Sequence, residues 1–269
     1  MHSLSHVKCF ILDMDGTVYL GNKLLPGALR FMNYLAATGR EYLFLTNNSS
    51  QNARYYARKL QAMGWPATEE DILTSGEATA LYLQQIRPRA RLYVVGTTAL
   101  VEELAAYGFI ITADAPDFVV LGFDTTLTYD KLVTACDLIR HGTPFIATHP
   151  DLNCPTETGF IPDCGSMIAL IKASTGVEPK VIGKPNREII DVIFRKKNFA
   201  RAEMAIIGDR LYTDIATGRN AGIYTVLVLS GETKPSDLAQ AMVRPDYIFE
   251  NLDNLTDYLA KCDAELQLT

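Results

Sequence analysis

Two acidic residues near the start of the chain, Asp13 and Asp15, are the clearest candidates for chemistry. They belong to segment 13–17 (DMDGT), which directly follows the apolar run 9–12 (CFIL). An uninterrupted apolar run of this length predicts a strand of a parallel sheet that is covered on both faces. Ligands of such sheets bind beyond the carboxyl ends of the strands. Two carboxylates held close together there repel each other unless a cation or a shared proton compensates. The pattern therefore predicts a metal site, acid–base chemistry or both.

Further polar residues stand at the ends of other predicted strands. Thr46 and Asn47 follow a second apolar run, Asp209 follows a third, and Lys184 directly precedes Pro185 and a predicted helix. The carboxyl ends of parallel strands share one edge of a sheet, so we expect these side chains to converge there. The main-chain N–H groups at a helix start favour an anion. Together with Asp13 and Asp15, this set suits Mg²⁺ with oxygen ligands and a bound phosphate.

The elements that must position these residues alternate along the chain between strand-length apolar runs and helical patterns, which predicts a parallel sheet with right-handed crossovers. A single sheet would need about ten parallel strands, which is more than open sheets usually hold. We therefore expect a core built from residues 1–76 and 182–269 and an inserted α/β domain over 77–181. Within the insertion, we expect a loop-rich stretch between Cys154 and Cys164.

Composition excludes several classes of function. The chain has 269 residues with a net charge of −6, which argues against a broad nucleic-acid-binding face. No apolar stretch approaches the ~20 residues of a membrane span, and the first residues lack a secretory signal pattern. The five cysteines are odd in number and irregular in spacing, which fits neither a zinc site nor a disulfide framework. We expect a cytoplasmic protein that binds neither nucleic acid nor membranes.

At these polar clusters the sequence resembles the haloacid dehalogenase (HAD) superfamily of aspartate-nucleophile phosphotransferases. Segment 13–17 matches the first motif, Thr46 the second, Lys184 the third and segment 208–214 (GDRLYTD) the fourth, in the family's order. Other segments narrow the resemblance to the NagD-like or p-nitrophenyl phosphatase-like branch: LTNNS at 45–49, LGFD at 121–124, ATHPD at 147–151 and IGKP at 182–185. The resemblance implies a doubly wound parallel sheet, the HAD-type Rossmannoid core, with an inserted α/β cap domain.

The resemblance also implies a reaction, the magnesium-dependent hydrolysis of small phosphate monoesters. Asp13 would attack phosphorus and form an aspartyl-phosphate. Asp15 would protonate the leaving oxygen and then take a proton from the attacking water. Asp13, the main-chain carbonyl of Asp15, and Asp209 would hold Mg²⁺. Asp214 would orient a metal-bound water or Lys184 from outside the ligand set, although it is also placed to cap the predicted helix over 213–221.

Substrate binding is assigned by the resemblance to two regions. Thr46, Asn47, Asn48 and Lys184 would bind the transferring phosphoryl group, with Lys184 neutralising charge on the nucleophile and the phosphate. In the cap loop, Asn153 and Cys154 would contribute to specificity.

Two nearby residues of the cap have open roles. His149 fits a cavity-lining role and a plain loop role equally well. Asp163 departs from the pattern of many relatives, and its extra carboxylate is expected to alter cap docking or to repel a strongly anionic leaving group.

The substrates that the resemblance suggests are sugar phosphates, nucleoside monophosphates, phosphoglycolate and pyridoxal phosphate, so the expected partner is a small phosphorylated metabolite. The resemblance leaves open a homo-oligomer formed through the cap. It also leaves open a phosphotransferase or phosphomutase on the same core. A catalytically silent metal-binding regulatory module is a third alternative, and the intact set of acidic residues, Thr46 and Lys184 argues against it.

Overall fold

The computed structural model describes residues 4–156 and 158–266. Within this range, the chain forms two compact units. The first combines Met1–Leu45, Ala57–Ile72 and Ile193–Thr269, as far as these ranges are described, and the second combines Thr46–Tyr56 and Leu73–Val192. The first unit thus draws on both ends of the chain. The expected domain boundaries, at 76/77 and 181/182, stay a prediction.

A six-stranded sheet in the order β15-β14-β13-β1-β4-β5 organises the first unit. Its strands are β1 (Cys9–Leu12), β4 (Glu41–Thr46), β5 (Ile72–Thr74), β13 (Met204–Gly208), β14 (Tyr224–Val228) and β15 (Tyr247–Phe249). Pairing is parallel from β15 through β4. All residues of β1 and β13 are buried, as continuous apolar strands of a sheet covered on both faces should be. The predicted α/β class with a parallel sheet is confirmed.

The register of β1 fixes where the first acidic residues lie. Leu12 is aligned with Ile207 of β13 on one side and with Phe44 of β4 on the other. The N–H of Asp13 extends the ladder by donating to the carbonyl oxygen of Ile207 at 2.9 Å. Asp13 and the residues that follow Gly208 therefore leave the sheet side by side at its carboxyl edge.

The remaining elements of the first unit are short hairpin strands and helices. They are β2 (Tyr19–Leu20), β3 (Lys23–Leu24), α1 (Ala28–Thr38), α8 (Ala216–Ala221) and α9 (Leu252–Leu266). Two helices, α2 (Ala53–Ala62) and α7 (Arg187–Lys196), each have residues in both units. Arg30 of α1 pairs with Asp253 and Asp257 of α9, which ties the C-terminal helix to the N-terminal part of the chain.

The second unit has its own parallel sheet, in the order β12-β9-β8-β6-β7. The strands are β6 (Arg91–Val95), β7 (Ile110–Ile111), β8 (Phe118–Leu121), β9 (Phe145–Ala147) and β12 (Lys180–Val181). The helices are α3 (Ser75–Ile86), α4 (Thr98–Ala106), α5 (Tyr129–Arg140) and α6 (Cys164–Thr175). Each of these helices is preceded by a residue whose side chain accepts a main-chain hydrogen bond. These residues are Thr74, Thr97, Thr128 and Asp163, respectively.

One stretch differs from the sequence expectation. The segment between Cys154 and Cys164 is not a loop but an antiparallel hairpin of β10 (Asn153–Thr156) and β11 (Gly159–Pro162). Pro155 and Pro162 argue against a strand in sequence, yet proline is tolerated in edge strands, and both strands of this isolated hairpin are edges.

The part of the chain that the structure describes contains no helix long and apolar enough to cross a membrane.

Candidate active site

Three carboxylates come together in the first unit at the carboxyl edge of its sheet. Asp13, Asp209 and Asp214 each offer an oxygen, and these oxygens lie within 4.8 Å of one another. Asp13 follows β1 and Asp209 follows β13, so two predicted strand ends supply two of the three groups. We call these residues the carboxylate trio. The sequence predicts Asp214 outside the ligand set, and its carboxylate lies together with those of Asp13 and Asp209. Which of the three would bind a metal stays a prediction.

Asp209 is tightly enclosed by its neighbours. Its Oδ2 accepts a hydrogen bond of 2.6 Å from the N–H of Glu232. A Cβ on Gly16 would lie 2.5 Å from the same oxygen, and one on Gly231 only 2.0 Å from it. Burial and, after it, the negative charge of Asp214 raise the pKa of Asp209 to about 6. The two glycines therefore make room for a carboxylate that resists ionisation until a cation compensates it.

Asp214 lies in a π-helical turn, Leu211–Ile215, directly before α8. Its Oδ2 accepts a hydrogen bond of 3.1 Å from the N–H of Arg210, and a Cβ on Gly208 would lie 2.2 Å from its own Cβ. The carboxylate thus braces its own turn as well as joining the trio, whereas α8 begins without a side-chain cap bond.

Asp15 takes a separate place on the turn that leads to β2. Its Oδ2 accepts a hydrogen bond of 3.2 Å from the Tyr19 hydroxyl. Among the described residues, its carboxylate is not part of the trio. A half-exposed carboxylate beside a buried metal-type site is suited to exchange protons with a substrate or water.

Arg210 is a charged neighbour of the trio that sequence reasoning missed. Burial acts to lower the pKa of its guanidinium, but the charges of Asp13 and Glu232 outweigh burial, and the pKa is raised. Its Nε lies 2.9 Å from a carboxylate oxygen of Glu232. Its position inside the predicted fourth motif was the only available signal.

The polar residues at the end of β4 and directly after it belong to the second unit. Thr46 Oγ1 accepts a hydrogen bond of 3.1 Å from the N–H of Asn48. Asn48 Oδ1 in turn accepts from the N–H and hydroxyl of Ser50, at 2.9 and 2.7 Å. Thr46 and Asn47 are both 5% exposed. These bonds hold the segment as a tight turn built around its own side chains.

Lys184 is also in the second unit, where it is directly bonded to Asn47. The N–H of Lys184 donates to Asn47 Oδ1 at 2.8 Å, and Asn47 Nδ2 donates to the Lys184 carbonyl oxygen at 3.2 Å. Lys184 is 3% exposed. The structure therefore brings together two predicted phosphate-binding residues that lie 137 positions apart in the chain.

The carboxylate of Asp163 is engaged by neighbours within the second unit. It is buried, and its Oδ1 accepts from the N–H of Cys164 at 2.6 Å and lies 2.9 Å from His149 Nε2. Its carboxylate is thus used to cap α6 and to pair with the imidazole. Whether it also affects an anionic leaving group stays a prediction. His149 is fully buried, and its Nδ1 lies 2.9 Å from Thr148 Oγ1.

Asn153 and Cys154, the predicted specificity residues, open the β10–β11 hairpin. Asn153 is exposed and Cys154 is half-buried. The neighbouring Cys164 is fully buried, and burial raises the pKa of its thiol to about 12, which keeps it protonated and unreactive at neutral pH.

The donor set of the trio fits a hard divalent cation. Carboxylate oxygens are the ligands that Mg²⁺ and Ca²⁺ prefer, and Mg²⁺ needs only one or two of them because it keeps several waters. Burial and, after it, the charge of Asp214 raise the pKa of Asp209, so the ionised carboxylate is disfavoured here. A cation would stabilise the ionised form.

Comparison with known proteins decides the family. Residues 10–110 match the model of haloacid dehalogenase-like hydrolases, and residues 181–255 match a second HAD hydrolase-like model. An acid sugar phosphatase of Staphylococcus saprophyticus is 36% identical over 96% of this chain and 100% of its own length. The 5'-nucleotidase YutF of Bacillus subtilis is also 36% identical, over 94% of this chain and 98% of its own. The chain belongs to the haloacid dehalogenase-like hydrolases.

Solved structures place this HAD protein more narrowly. A 4-nitrophenylphosphatase from Thermotoga maritima superimposes with a TM-score of 0.93 at 48% identity, covering 96% of this chain and 100% of the other. NagD from E. coli K-12 superimposes with a TM-score of 0.86 at 35% identity, covering 92% of this chain and 97% of its own. A glycerol phosphate phosphatase from Mycobacterium tuberculosis, solved in complex with calcium, superimposes with a TM-score of 0.87 at 36% identity. The match covers 94% of this chain and 76% of the other. The predicted NagD-like or p-nitrophenyl phosphatase-like branch is confirmed.

Proposed function

We propose that this HAD-type phosphatase hydrolyses small phosphate monoesters with the help of Mg²⁺ and through an aspartyl-phosphate on Asp13. The observation that carries the proposal is the carboxylate trio, which gathers Asp13, Asp209 and Asp214 at the carboxyl edge of the first unit's sheet. Relatives that match 94–96% of the chain are named as phosphatases or nucleotidases, which supports the same reaction class.

In the first step, a carboxylate oxygen of Asp13 attacks phosphorus, and the bond to the leaving alkoxide breaks. Asp15 donates its proton to that oxygen. In the second step, Asp15 takes a proton from water as the water attacks the aspartyl-phosphate, which releases inorganic phosphate and restores Asp13. Mg²⁺ held by Asp13, Asp209 and the main-chain carbonyl of Asp15, with Asp214 as ligand or brace, would neutralise charge on the phosphoryl oxygens.

The phosphoryl group also needs donors. We assign this role to the Thr46 hydroxyl, the main-chain amide of Asn47 and the Lys184 ammonium, with Asn48 shaping the turn. Positioning and electrostatics supply most of the catalysis of phosphoryl transfer, so a hydroxyl, an amide and a cation are an adequate set.

The proposed substrate is a small phosphorylated metabolite. The activities for which the relatives are named, on sugar phosphates, nucleotides, glycerol phosphate and 4-nitrophenyl phosphate, favour compact phosphate monoesters. Phosphoglycolate and pyridoxal phosphate belong to the same size class. Asn153 and Cys154 are proposed to select among them, and the cytoplasm stays our prediction for where the reaction takes place.

Replacement of the nucleophile tests the proposal. Asp13→Asn keeps the size of the side chain but removes its nucleophilic oxygen, so hydrolysis of p-nitrophenyl phosphate should fall by about three orders of magnitude or more. Phosphate release should also stop in chelator and return with added Mg²⁺. A fully active Asp13→Asn protein would refute the mechanism. Transfer to added alcohols or sugars in place of phosphate release would show a phosphotransferase.

A further inference from the structure

The side chain of Asn47 is committed on both of its polar atoms to the main chain of Lys184. Oδ1 accepts from the Lys184 N–H at 2.8 Å, and Nδ2 donates to the Lys184 carbonyl oxygen at 3.2 Å. An N–H can only donate and a carbonyl can only accept, so this pair of bonds fixes which way the carboxamide points. Asn47 thereby pairs with Lys184 as a neighbouring strand would.

A third bond connects the same carboxamide to the loop after β9. Asn47 Nδ2 donates to Asp151 Oδ1 at 3.1 Å. A carboxamide nitrogen carries two hydrogens, and the Lys184 carbonyl and the Asp151 carboxylate accept one each. A hydrogen bond to a carboxylate is of the stronger, charge-assisted kind.

The backbone around Lys184 is shaped to allow this approach. The N–H of Gly183 donates to the Thr148 carbonyl oxygen at 2.7 Å, which continues the β9–β12 ladder by two residues. A Cβ on Gly183 would lie 2.6 Å from that oxygen and 2.7 Å from Asn47 Oδ1. The hydroxyl of Ser75 donates to the Asn47 main-chain oxygen, so the main chain of Asn47 is held as well as its side chain.

We propose that Asn47 and Asp151 are positioning residues that fix Lys184 for catalysis, with Asn47 acting on its main chain and Asp151 holding the Asn47 carboxamide. This inference rests on the proposed role of Lys184 in binding the phosphoryl group. A lysine ammonium sits at the end of four methylene groups, so its location depends on how firmly its main chain is held. A displacement of about 1 Å in a reacting group can cost about a hundredfold in rate.

A double-mutant cycle separates positioning from direct contact and from a general loss of stability. Asn47→Ala should lower kcat/KM for p-nitrophenyl phosphate about thirtyfold in the wild-type background and less than threefold in Lys184→Met, whose residual activity is measured at high enzyme concentration. Asp151→Ala should lower kcat/KM about tenfold in the wild-type background and leave it unchanged in the Lys184→Met background. It also serves as the second variant should Asn47→Ala fold poorly.

Thr97→Ala is the matched control. The Thr97 hydroxyl is buried and donates to the Ser50 carbonyl oxygen at 2.9 Å, so its loss perturbs the same turn without removing a bond to Lys184. We expect a lower Tm and less than a twofold change in kcat/KM in both backgrounds. Equal losses from Asn47→Ala in both backgrounds would overturn the inference, because Asn47 would then act on substrate or stability independently of Lys184.

Hydrogen exchange gives a readout that does not depend on activity. The Lys184 amide should exchange at least tenfold faster in Asn47→Ala, while the Thr148 amide, which donates to the Leu121 carbonyl at 2.9 Å, keeps its rate. Unchanged protection of the Lys184 amide would refute the proposal that Asn47 holds the main chain of Lys184. An inactive wild-type protein would instead refute the proposed function, and exchange would still decide whether Asn47 holds Lys184.

Discussion

Gly231 leaves no room for a side chain beside Asp209, because a Cβ built on it would lie 2.0 Å from Asp209 Oδ2. The glycine therefore decides where a member of the carboxylate trio can stand. Gly231→Ala must displace this carboxylate, and we expect it to weaken Mg²⁺ binding at least tenfold, as loss of supporting contacts around metal ligands commonly does. Isothermal titration of Mg²⁺ measures the change.

Gly96→Ala is a control for steric crowding away from the trio. Its Cβ would meet a flexible Leu100 side chain at 2.7 Å and no carboxylate. It should cost about 1–3 kcal/mol of unfolding free energy by overpacking, with the Mg²⁺ Kd unchanged. An unchanged Kd in Gly231→Ala would remove the steric argument.

The pH dependence of metal binding follows from the raised pKa of Asp209, which burial and then Asp214 bring to about 6. Only the ionised carboxylate binds a metal, so Mg²⁺ affinity should rise with pH through about 6 and level off above it. In the metal-free protein, the contribution of Asp209 to folding stability changes with pH in the opposite direction. Between the ordinary carboxyl pKa of 3.8 and about 6, the unfolded state releases the Asp209 proton while the folded state keeps it. Stability from this group therefore falls as pH rises through that window.

Thermal melts between pH 4 and 8, with and without Mg²⁺, check both signs. Asp214→Asn removes one of the charges that raise the Asp209 pKa, so it should move the onset of Mg²⁺ binding to lower pH. An affinity that stays flat between about pH 5 and 7 would contradict the assignment of Asp209 as the proton-competing ligand.

The docking of α9 should depend far more on Arg40 than on Arg30. Arg40 is 9% exposed and bonds to both carboxylate oxygens of Asp263, at 2.7 and 2.8 Å. Arg40→Ala leaves that carboxylate with the Tyr34 hydroxyl but without its cationic partner, and should cost about 3 kcal/mol. Arg30 is 48% exposed, and Arg30→Ala should cost less than about 1 kcal/mol despite its two ion pairs. Urea unfolding of the two variants measures the difference, and equal losses would contradict the argument from burial.

Asp163 should matter for stability and not for substrate binding. Its Oδ1 bonds to both the Cys164 N–H and the His149 ring, and an asparagine oxygen accepts both bonds when His149 Nε2 carries a proton. Asp163→Asn should therefore cost less than about 1 kcal/mol, whereas Asp163→Ala should cost about 2 kcal/mol through the lost cap and the unpaired imidazole. KM should stay constant in Asp163→Asn. A marked fall in KM for anionic substrates would support the idea that this charge faces the substrate.

Local patterns in the sequence were sufficient for the elements that carry the chemistry. The all-apolar runs of β1 and β13 cannot be exposed on either face, so they identify buried parallel strands and place Asp13 and Asp209 at their carboxyl ends. The hairpin of β10 and β11 was missed because its prolines oppose strand formation, while the pairing that stabilises it is a contact between the two strands.

The sequence by itself determined the family, the reaction class and the acidic residues at the strand ends, because these depend on residue types and on short-range order. Only the tertiary structure decided three contacts. Asp214 lies with Asp13 and Asp209, Asp163 pairs with His149, and the Asn47 side chain bonds to the main chain of Lys184. The physical reason is that hydrogen bonds and charge crowding act over a few ångströms in space. Partners 137 positions apart, such as Asn47 and Lys184, leave no local signal in the chain.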